Sequence, residues 1–238
     1  MSSNPKRSMR ALMVVVACAV LAVVGCNDDA PTTPDNPPSQ PPTEPTSSMG
    51  RMRAAQLTQD ARTVDVVVDG NTVTQNLAYP GVGGYVDLDE GEHRVQILPA
   101  GTTGAAMVEM MVTLEGGESL TVAVVGNDPV ALVVVDDGGT SGNGANVRLF
   151  NAVPDFPANL DLGVVNGPLV VAGVAFMNAS DYATVVPGSY ALVLKRGGTK
   201  EEIGTMTDSL PGATNTTVFA VGSLGRGDIG LISARDAQ

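Results

Sequence analysis

The stretch Val64-Asp65-Val66-Val67-Val68-Asp69-Gly70-Asn71 decides the fold class. Its β-branched residues favour an extended strand, and Asp-Gly-Asn is typical of the tight turn of a β-hairpin. Further runs of this kind follow at 84–89, 93–98, 107–112, 120–125 and 130–135. The last two runs are apolar on both faces, which predicts fully buried strands. Since no window combines a 3.6-residue apolar period with capping residues, the sequence predicts an all-β protein.

The same order of residues recurs in the second half of the chain. Arg53 recurs as Arg148, Tyr85 as Tyr182, and the segment 122–126 as 218–222, at offsets of 95 to 97 residues. The pattern predicts two tandem immunoglobulin-like or transthyretin-like β-sandwich domains. We place repeat 1 at 50–139, a glycine-rich hinge at 140–144 and repeat 2 at 145–238. Because this period is far too long for solenoid units, we expect independent domains joined by a flexible hinge.

The N-terminal residues indicate export. Lys6, Arg7 and Arg10 precede an apolar run at 11–24, which is shorter than the roughly 20 residues that span a bilayer but suits a signal peptide. The following Val23-Val24-Gly25-Cys26 resembles the lipobox of bacterial lipoproteins, in which the cysteine is acylated and becomes the mature N-terminus. We expect removal of residues 1–25 by cleavage after Gly25. Lipid on Cys26, palmitate included, would then anchor the protein to a membrane of the bacterial cell envelope or surface.

The alternative to a lipid anchor is a conventional secretory peptide, with Cys26 incidental. The cysteine count favours the anchor, because Cys18 lies in the apolar run and would be removed with it. Cys26 would then be the remaining thiol, and a single thiol cannot form an internal disulfide. The segment 26–49 that follows contains seven of the 16 prolines and no large apolar residue before Met49. Such a composition predicts a disordered tether between the lipid and repeat 1.

The opening of repeat 2 carries a family resemblance. Asn146-Val147-Arg148-Leu149-Phe150-Asn151-Ala152-Val153-Pro154-Asp155-Phe156-Pro157 resembles the opening of a bacterial family catalogued as domain of unknown function 4397. The segments 64–70 and 186–190 resemble its hairpin and its later Pro-Ala-Gly-x-Tyr stretch. Repeat 1 lacks the prolines of the opening, and repeat 2 has Val165-Asn166-Gly167 in place of Asp-Gly. The resemblance covers nearly all of 51–236 and implies an exported or lipid-anchored envelope protein without an established activity.

The composition argues against several function classes. The 238 residues include 25 acidic and 13 basic side chains, for a net charge of −12. Without a basic stripe to neutralise phosphates, we expect no nucleic-acid binding. The single histidine, His93, provides little material for a metal hydrolase or a catalytic triad, and we expect it at a strand surface. The glycine-rich segment 81–84 lacks the lysine and helix of a phosphate loop. We therefore expect no catalytic residues, no cofactor and no enzyme.

Recurring and clustered acidic residues are the candidate ligand sites. Asp60 and Asp155 occupy one loop of each repeat, and Asp65 and Asp161 one strand. They could bind a cation, but side chains that cap turns, followed by solvent-facing strand residues, are the favoured interpretation. The segments 87–92, with Asp87 and Asp89 on one strand face, and 136–144 also offer oxygen ligands. The first lacks the residue order of a calcium-binding loop, and the composition of the second fits a flexible hinge better, so we assign no metal site.

The aromatic residues complete the candidates. These residues are Tyr79, Tyr85, Phe176, Tyr182 and Tyr190. We interpret them as core or cross-strand packing residues, and the alternative is an exposed tyrosine pair that binds a glycan. The sequence therefore predicts a non-enzymatic, membrane-anchored envelope lipoprotein. It would present two β modules for interaction with an envelope protein or for structural support. The alternative is a surface receptor component that binds a small ligand or glycan.

Overall fold

A computed structural model describes residues 48–59, 63–127, 129–139 and 142–237. These residues all belong to one unit, Pro45–Gln238. The predicted signal peptide, Cys26, nearly all of the predicted tether and Asp60 lie outside the described residues. Met49, assigned above to the tether, is the first residue of a strand.

Strands are the regular elements of the described residues, which contain no helix. The strands of repeat 1 are β1 Met49–Gln56, β2 Val64–Val68, β3 Asn71–Leu77, β4 Gly81–Val82, β5 Val86–Asp89, β6 Gly91–Pro99, β7 Val108–Leu114, β8 Ser119–Val125 and β9 Ala131–Asp136. Those of repeat 2 are β10 Ala145–Asn151, β11 Leu160–Val164, β12 Leu169–Val174, β13 Ala183–Val185, β14 Gly188–Arg196, β15 Glu202–Leu210, β16 Thr214–Val221 and β17 Gly230–Arg235. The prediction of an all-β protein is confirmed.

Each repeat contains two sheets with the same strand order. In repeat 1 an outer sheet has the order β3-β2-β6-β7 and an inner sheet the order β4-β1-β8-β9, with β5 also paired to β1. In repeat 2 the outer sheet is β12-β11-β14-β15 and the inner sheet β13-β10-β16-β17. The pairs β1–β8 and β10–β16 are parallel, and the other pairs are antiparallel. The tandem β-sandwich prediction is confirmed.

The hairpin predicted from Val64–Asn71 forms between β2 and β3. Asp69 and Gly70 have φ angles of 50° and 82°, and Asn166 in the equivalent turn has φ 53°. Aspartate, asparagine and glycine tolerate this left-handed region best, which is why these residues mark the turn in both repeats.

The sandwich cores follow from the alternation of side chains along each strand. In β2 the side chains of Val64, Val66 and Val68 are buried, while those of Asp65 and Val67 are only half-buried. Such residues from the inner and outer sheets of repeat 1 pack into one apolar cluster, and those of repeat 2 pack into a second. Each repeat therefore has its own hydrophobic core between its two sheets.

The central strands of the inner sheets are buried on both faces. All seven residues of β8 are buried, as the apolar run 120–125 predicted, and all seven of β10 are buried as well. The prediction for 130–135 was wrong in part, because β9 is an edge strand in which Val134 is 37% exposed. β9 forms the margin of the inner sheet, where its apolar residues are less completely buried than those of β8.

A third apolar cluster joins the two repeats. Its buried members are Ala55, Leu57, Ala123, Val125, Val135, Phe150, Ala152, Phe219 and Val221. Along β1, Ala54 belongs to the core of repeat 1 and Ala55 to this third cluster, as alternation requires. The sequence led us to expect independent domains on a flexible hinge. In the structure the inner sheets instead pack against each other, so the two repeats share a continuous apolar interface.

Candidate functional site

The two arginines that recur in the repeats meet at the interface between them. Arg53 lies on β1 and Arg148 on β10, each between two residues that face its own sandwich core. Alternation therefore turns both guanidinium groups towards the opposite repeat. Their relative exposures are only 4%, and a buried arginine needs a partner for its charge.

Each arginine binds its own repeat and the other one. Nε of Arg53 donates to Oγ1 of Thr121 at 2.8 Å, and Nη1 donates to the carbonyl oxygen of Arg235 at 2.6 Å. Its Nη2 forms a salt bridge with the Asp236 carboxylate in repeat 2. The guanidinium therefore links β1 and β8 of repeat 1 to the end of β17.

Arg148 makes the same set of bonds in the opposite direction. Its Nε donates to Oγ1 of Thr217 at 2.7 Å and its Nη1 to the carbonyl oxygen of Asp136 at 2.6 Å. Its Nη2 forms a salt bridge with the Asp137 carboxylate in repeat 1. The two ion pairs are thus reciprocal, with each repeat supplying one arginine and one aspartate.

Hydroxyl groups saturate the two aspartates. Asp137 accepts hydrogen bonds from the hydroxyls of Thr121 and of Tyr85, the latter at 2.7 Å. Asp236 accepts them from Thr217 at 2.8 Å and Tyr182 at 2.6 Å. Their residues are 0% and 7% exposed. Two positive and two negative charges cancel, and the added hydrogen bonds offset part of the desolvation cost of burying them.

The two tyrosines cover the arginines from outside. The guanidinium carbon of Arg53 lies 4.6 Å from the Tyr85 ring centroid, and that of Arg148 lies 4.5 Å from the Tyr182 centroid. Burial raises the pKa of both tyrosines, so their hydroxyls stay protonated as donors to the aspartates. We call these eight residues the inter-repeat polar cluster. It consists of Arg53, Tyr85, Thr121 and Asp137 from repeat 1 and Arg148, Tyr182, Thr217 and Asp236 from repeat 2.

The sequence identified only part of this cluster. The equivalence of Arg53 with Arg148 and of Tyr85 with Tyr182 was recognised, but not their bonding. The composition of 136–144 is typical of a flexible hinge, whereas Asp137 within it is fully buried. A usable signal existed, because Thr121 and Thr217 directly precede the matched segments 122–126 and 218–222.

The recurring aspartates cap backbone amides. Asp65 accepts from the amides of Asn76 and Gly101, and Asp161 accepts from those of Gly173 and Gly198, at 2.7–2.9 Å. These bonds lower the pKa of the Asp65 carboxyl. Both aspartates tie the β2–β3 or β11–β12 hairpin to a neighbouring turn, which agrees with the favoured capping interpretation. Asp161 is 4% exposed, so the expectation that it faces solvent was wrong.

Asp155 likewise caps a loop of repeat 2. Its carboxylate accepts hydrogen bonds from the Ser223 hydroxyl at 2.7 Å and from the amides of Leu224 and Gly225 at 2.8 Å. Burial alone would raise the pKa of Asp155, but these bonds lower it. The carboxylate is therefore used to hold the loop after β16.

His93 is buried, which contradicts its expected surface position. It lies on β6 with an exposure of 8%, on the same face as Val95 and Ile97. Nδ1 lies 2.7 Å from the Asp69 carboxylate and Nε2 lies 2.7 Å from the Asp89 carbonyl oxygen. Burial alone would lower the pKa of His93, but these two acceptors raise it. His93 thus connects the β2–β3 turn to the end of β5.

The remaining candidates are scattered over repeat 1 and repeat 2. Among the described residues, no group of three or more His, Cys, Asp and Glu side chains is arranged to hold a metal ion. Asp87 and Asp89 are exposed on β5, and the Tyr190 hydroxyl donates to the Val186 carbonyl at 2.6 Å. Tyr79 packs against the third apolar cluster, and Phe176 is half-buried.

An open cleft of about 500 Å³, lined by residues of both repeats, lies beside the polar cluster. Its lining residues are Asp136, Gly138, Gly139, Arg148, Ser180, Asp181 and Tyr182. The donors of Arg148 are directed to Thr217, Asp136 and Asp137. The carboxylates of Asp136 and Asp181 thus give the cleft an acidic, hydrogen-bonding character, suited to a hydroxylated or cationic ligand.

None of the described residues forms a helix that is long and apolar enough to span a membrane. The predicted anchor at Cys26 lies outside this part of the chain.

Several solved structures are distantly similar to this chain. CBMbc of family CBM26 from Eubacterium rectale Amy13K, solved with maltoheptaose, is 7% identical with a TM-score of 0.27, over 80% of this chain and 98% of that one. The Bacillus anthracis TIE protein is 11% identical with a TM-score of 0.25, over 74% of this chain and 34% of that one. A streptococcal virulence factor that binds α-glucan is 11% identical with a TM-score of 0.23, over 72% and 92%. No ligand is carried over at these scores.

The family comparison is decisive by contrast. No curated protein matches the chain. The family model described as "Domain of unknown function (DUF4397)" matches twice, at residues 50–158 and 145–238. The second match begins at the first residue of β10, and the two together cover both sandwiches. The chain, with its two sandwiches joined by reciprocal ion pairs, belongs to the DUF4397 family.

Proposed function

We propose that this protein is a non-enzymatic lipoprotein of the bacterial cell envelope, anchored through lipid on Cys26. It presents its two repeats as one rigid β module for interaction with another envelope protein or for structural support. The observation that carries this proposal is the inter-repeat polar cluster. The charged residues that recur in both repeats bind the repeats to each other, so duplication supplies a larger continuous surface on a single body.

The charge of the chain limits the class of partner. The net charge of −12 favours a protein with a basic surface over an acidic one. It also opposes binding to nucleic acid. A partner that spans both repeats would depend on their fixed relative position, whereas a partner of one repeat would not.

The anchor is tested by replacing each cysteine in turn. We expect a Cys26→Ala chain to lose palmitate labelling, because it lacks the acceptor thiol of the lipobox. Cys18→Ala is the matched control, since Cys18 lies in the segment that we expect to be removed. Its labelling should match the native chain. Equal labelling of the Cys26→Ala and native chains would contradict the lipid anchor.

The interaction is tested by in-cell crosslinking of the native, anchored chain followed by mass spectrometry. We expect one protein partner at a fixed stoichiometry. An Arg148→Glu chain, in which a carboxylate faces Asp137, should keep its anchor and lose most of the crosslink, because the two repeats no longer hold one position. A partner recovered equally with the Arg148→Glu chain would contradict recognition of the two-repeat module.

The acidic cleft supports a second candidate, a receptor component for a small ligand or glycan. Its signature would be the absence of a protein partner together with saturable binding of a purified glycan. That binding should weaken in Asp181→Ala, whose side chain lines the cleft. Glu92→Ala is the control, because Glu92 is an exposed carboxylate on β6 that does not line the cleft.

A further inference from the structure

The polar contacts between the repeats are reciprocal. Arg53 binds Asp236 and Arg148 binds Asp137, and these pairs exchange when repeat 1 is exchanged with repeat 2. An interface of this kind has the pattern of a symmetric dimer, in which the same patch is used on both sides. On polar contacts alone, each repeat could therefore pair with a copy of itself.

The apolar centre of the interface is not symmetric. Phe150 and Phe219 of repeat 2 pack against each other with centroids 5.9 Å apart, and both are buried in the third apolar cluster. The equivalent positions in repeat 1, at the offsets of 95 and 96 residues, are Ala55 and Ala123, which belong to the same cluster. The repeats thus contribute large and small side chains to one shared layer.

This difference in size separates like from unlike pairs. Two copies of repeat 2 would bring four phenylalanines into a layer that holds two, and overpacking of this kind is destabilising. Two copies of repeat 1 would bring four alanines, and the second Leu57 in place of Ala152 would restore only part of the volume of two phenylalanines. The remaining void also carries a penalty. Only repeat 1 with repeat 2 fills the layer.

The interface residues are separate from the residues that hold each sandwich together. Ala55, Ala123, Phe150 and Phe219 belong to the third apolar cluster and to neither sandwich core. An inner face that is exposed would therefore leave the core of its own repeat complete.

We propose that the inner face of repeat 1 pairs with the inner face of repeat 2 and not with another copy of itself. We further propose that a second copy of this chain can supply the matching face. Exchange of repeats between two copies would reproduce every contact of the closed chain. The short junction gives the two repeats of one chain a high effective concentration for each other. In the native chain, pairing within one chain is therefore favoured over exchange between two chains. Exchange becomes measurable when pairing within each chain is disabled.

Two full-length variants carry out this test. Arg53→Glu places a carboxylate against Asp236 and disables the face of repeat 1, while Arg148→Glu does the same to the face of repeat 2. Each variant keeps one native face, and the two remaining faces are complementary. The variants are co-expressed with different tags and extracted in detergent. One variant is purified through its tag, and the other is then measured in the purified fraction.

The mixed pair should co-purify at equal stoichiometry, and at least roughly tenfold above either variant paired with itself. Like pairs that co-purify as well as the mixed pair would overturn the pairing of repeat 1 with repeat 2 alone. A mixed pair at background level, with both chains protease-resistant in the membrane, would overturn the second copy as partner. Should either glutamate variant be protease-sensitive, Ala123→Glu with Phe219→Glu repeats the test at equivalent apolar positions, with the same outcomes.

Discussion

Replacement of Arg148 by alanine is expected to lower the free energy of unfolding by about 3–5 kcal/mol, because it removes the guanidinium that is hydrogen-bonded to the buried carboxylate of Asp137. The carboxylate then keeps only the longer contact with Nε of Arg53, at 3.8 Å. Asp137 is 0% exposed, so water cannot take the place of the guanidinium. For a chain of this size the loss corresponds to a fall in Tm of roughly 6–20 °C. Thermal denaturation of the detergent-solubilised chain, followed by circular dichroism, measures it.

An exposed ion pair provides the control for this variant. Arg94 forms a 2.6 Å salt bridge with Glu109, with side chains that are 53% and 50% exposed. Solvent screens such a pair, so Arg94→Ala should change the stability by about 1 kcal/mol or less. Arg53→Ala should resemble Arg148→Ala, since it leaves Asp236 in the same situation. If Arg148→Ala were no more destabilising than Arg94→Ala, the polar cluster would not hold the repeats together.

Phe150→Ala is expected to cost a similar amount, about 3–5 kcal/mol, for an apolar reason. Phe150 is 0% exposed and packs against Phe219 in the layer between the repeats. Truncation leaves a cavity that the inner sheets, held on their other faces by the sandwich cores, can close only in part. Urea denaturation gives the free-energy change.

Phe176→Ala serves as the reference for the second variant. Phe176 is half-buried and lies outside the three apolar clusters, so its truncation should cost clearly less. Equal losses in the two variants would show that the layer around Phe150 is no better packed than the periphery of repeat 2.

Local features of the sequence were sufficient to predict the sandwiches. Asp69-Gly70 specifies a turn through its own backbone preferences, and the run in β8 specifies burial through its composition. The repeat added the second sandwich, because equivalent residues form equivalent strands. The same alternation places His93 in register with Val95 and Ile97, which indicates burial, whereas its alignment with Tyr190 of repeat 2 favours a strand surface. The structure agrees with the alternation.

The interface between the repeats could not be predicted in this way. Arg53 and Asp236 are separated by 183 positions, and their contact depends on how two finished sandwiches dock. Glycine-rich composition after Asp137 suggested mobility, whereas the ion pair with Arg148 fixes that aspartate. The recurrence of arginine, threonine, tyrosine and aspartate at matched positions was visible in the sequence. Its meaning required the three-dimensional arrangement.

The unequal centre of the interface bears on how such a gene can change. Because one copy has phenylalanines where the other has alanines, neither copy can take the place of its sister. Recombination between the two halves of the gene would leave a product with one repeat, whose charged and aromatic inner face lacks its complement. The size difference therefore makes the duplication hard to reverse and requires the two halves of the gene to be inherited together.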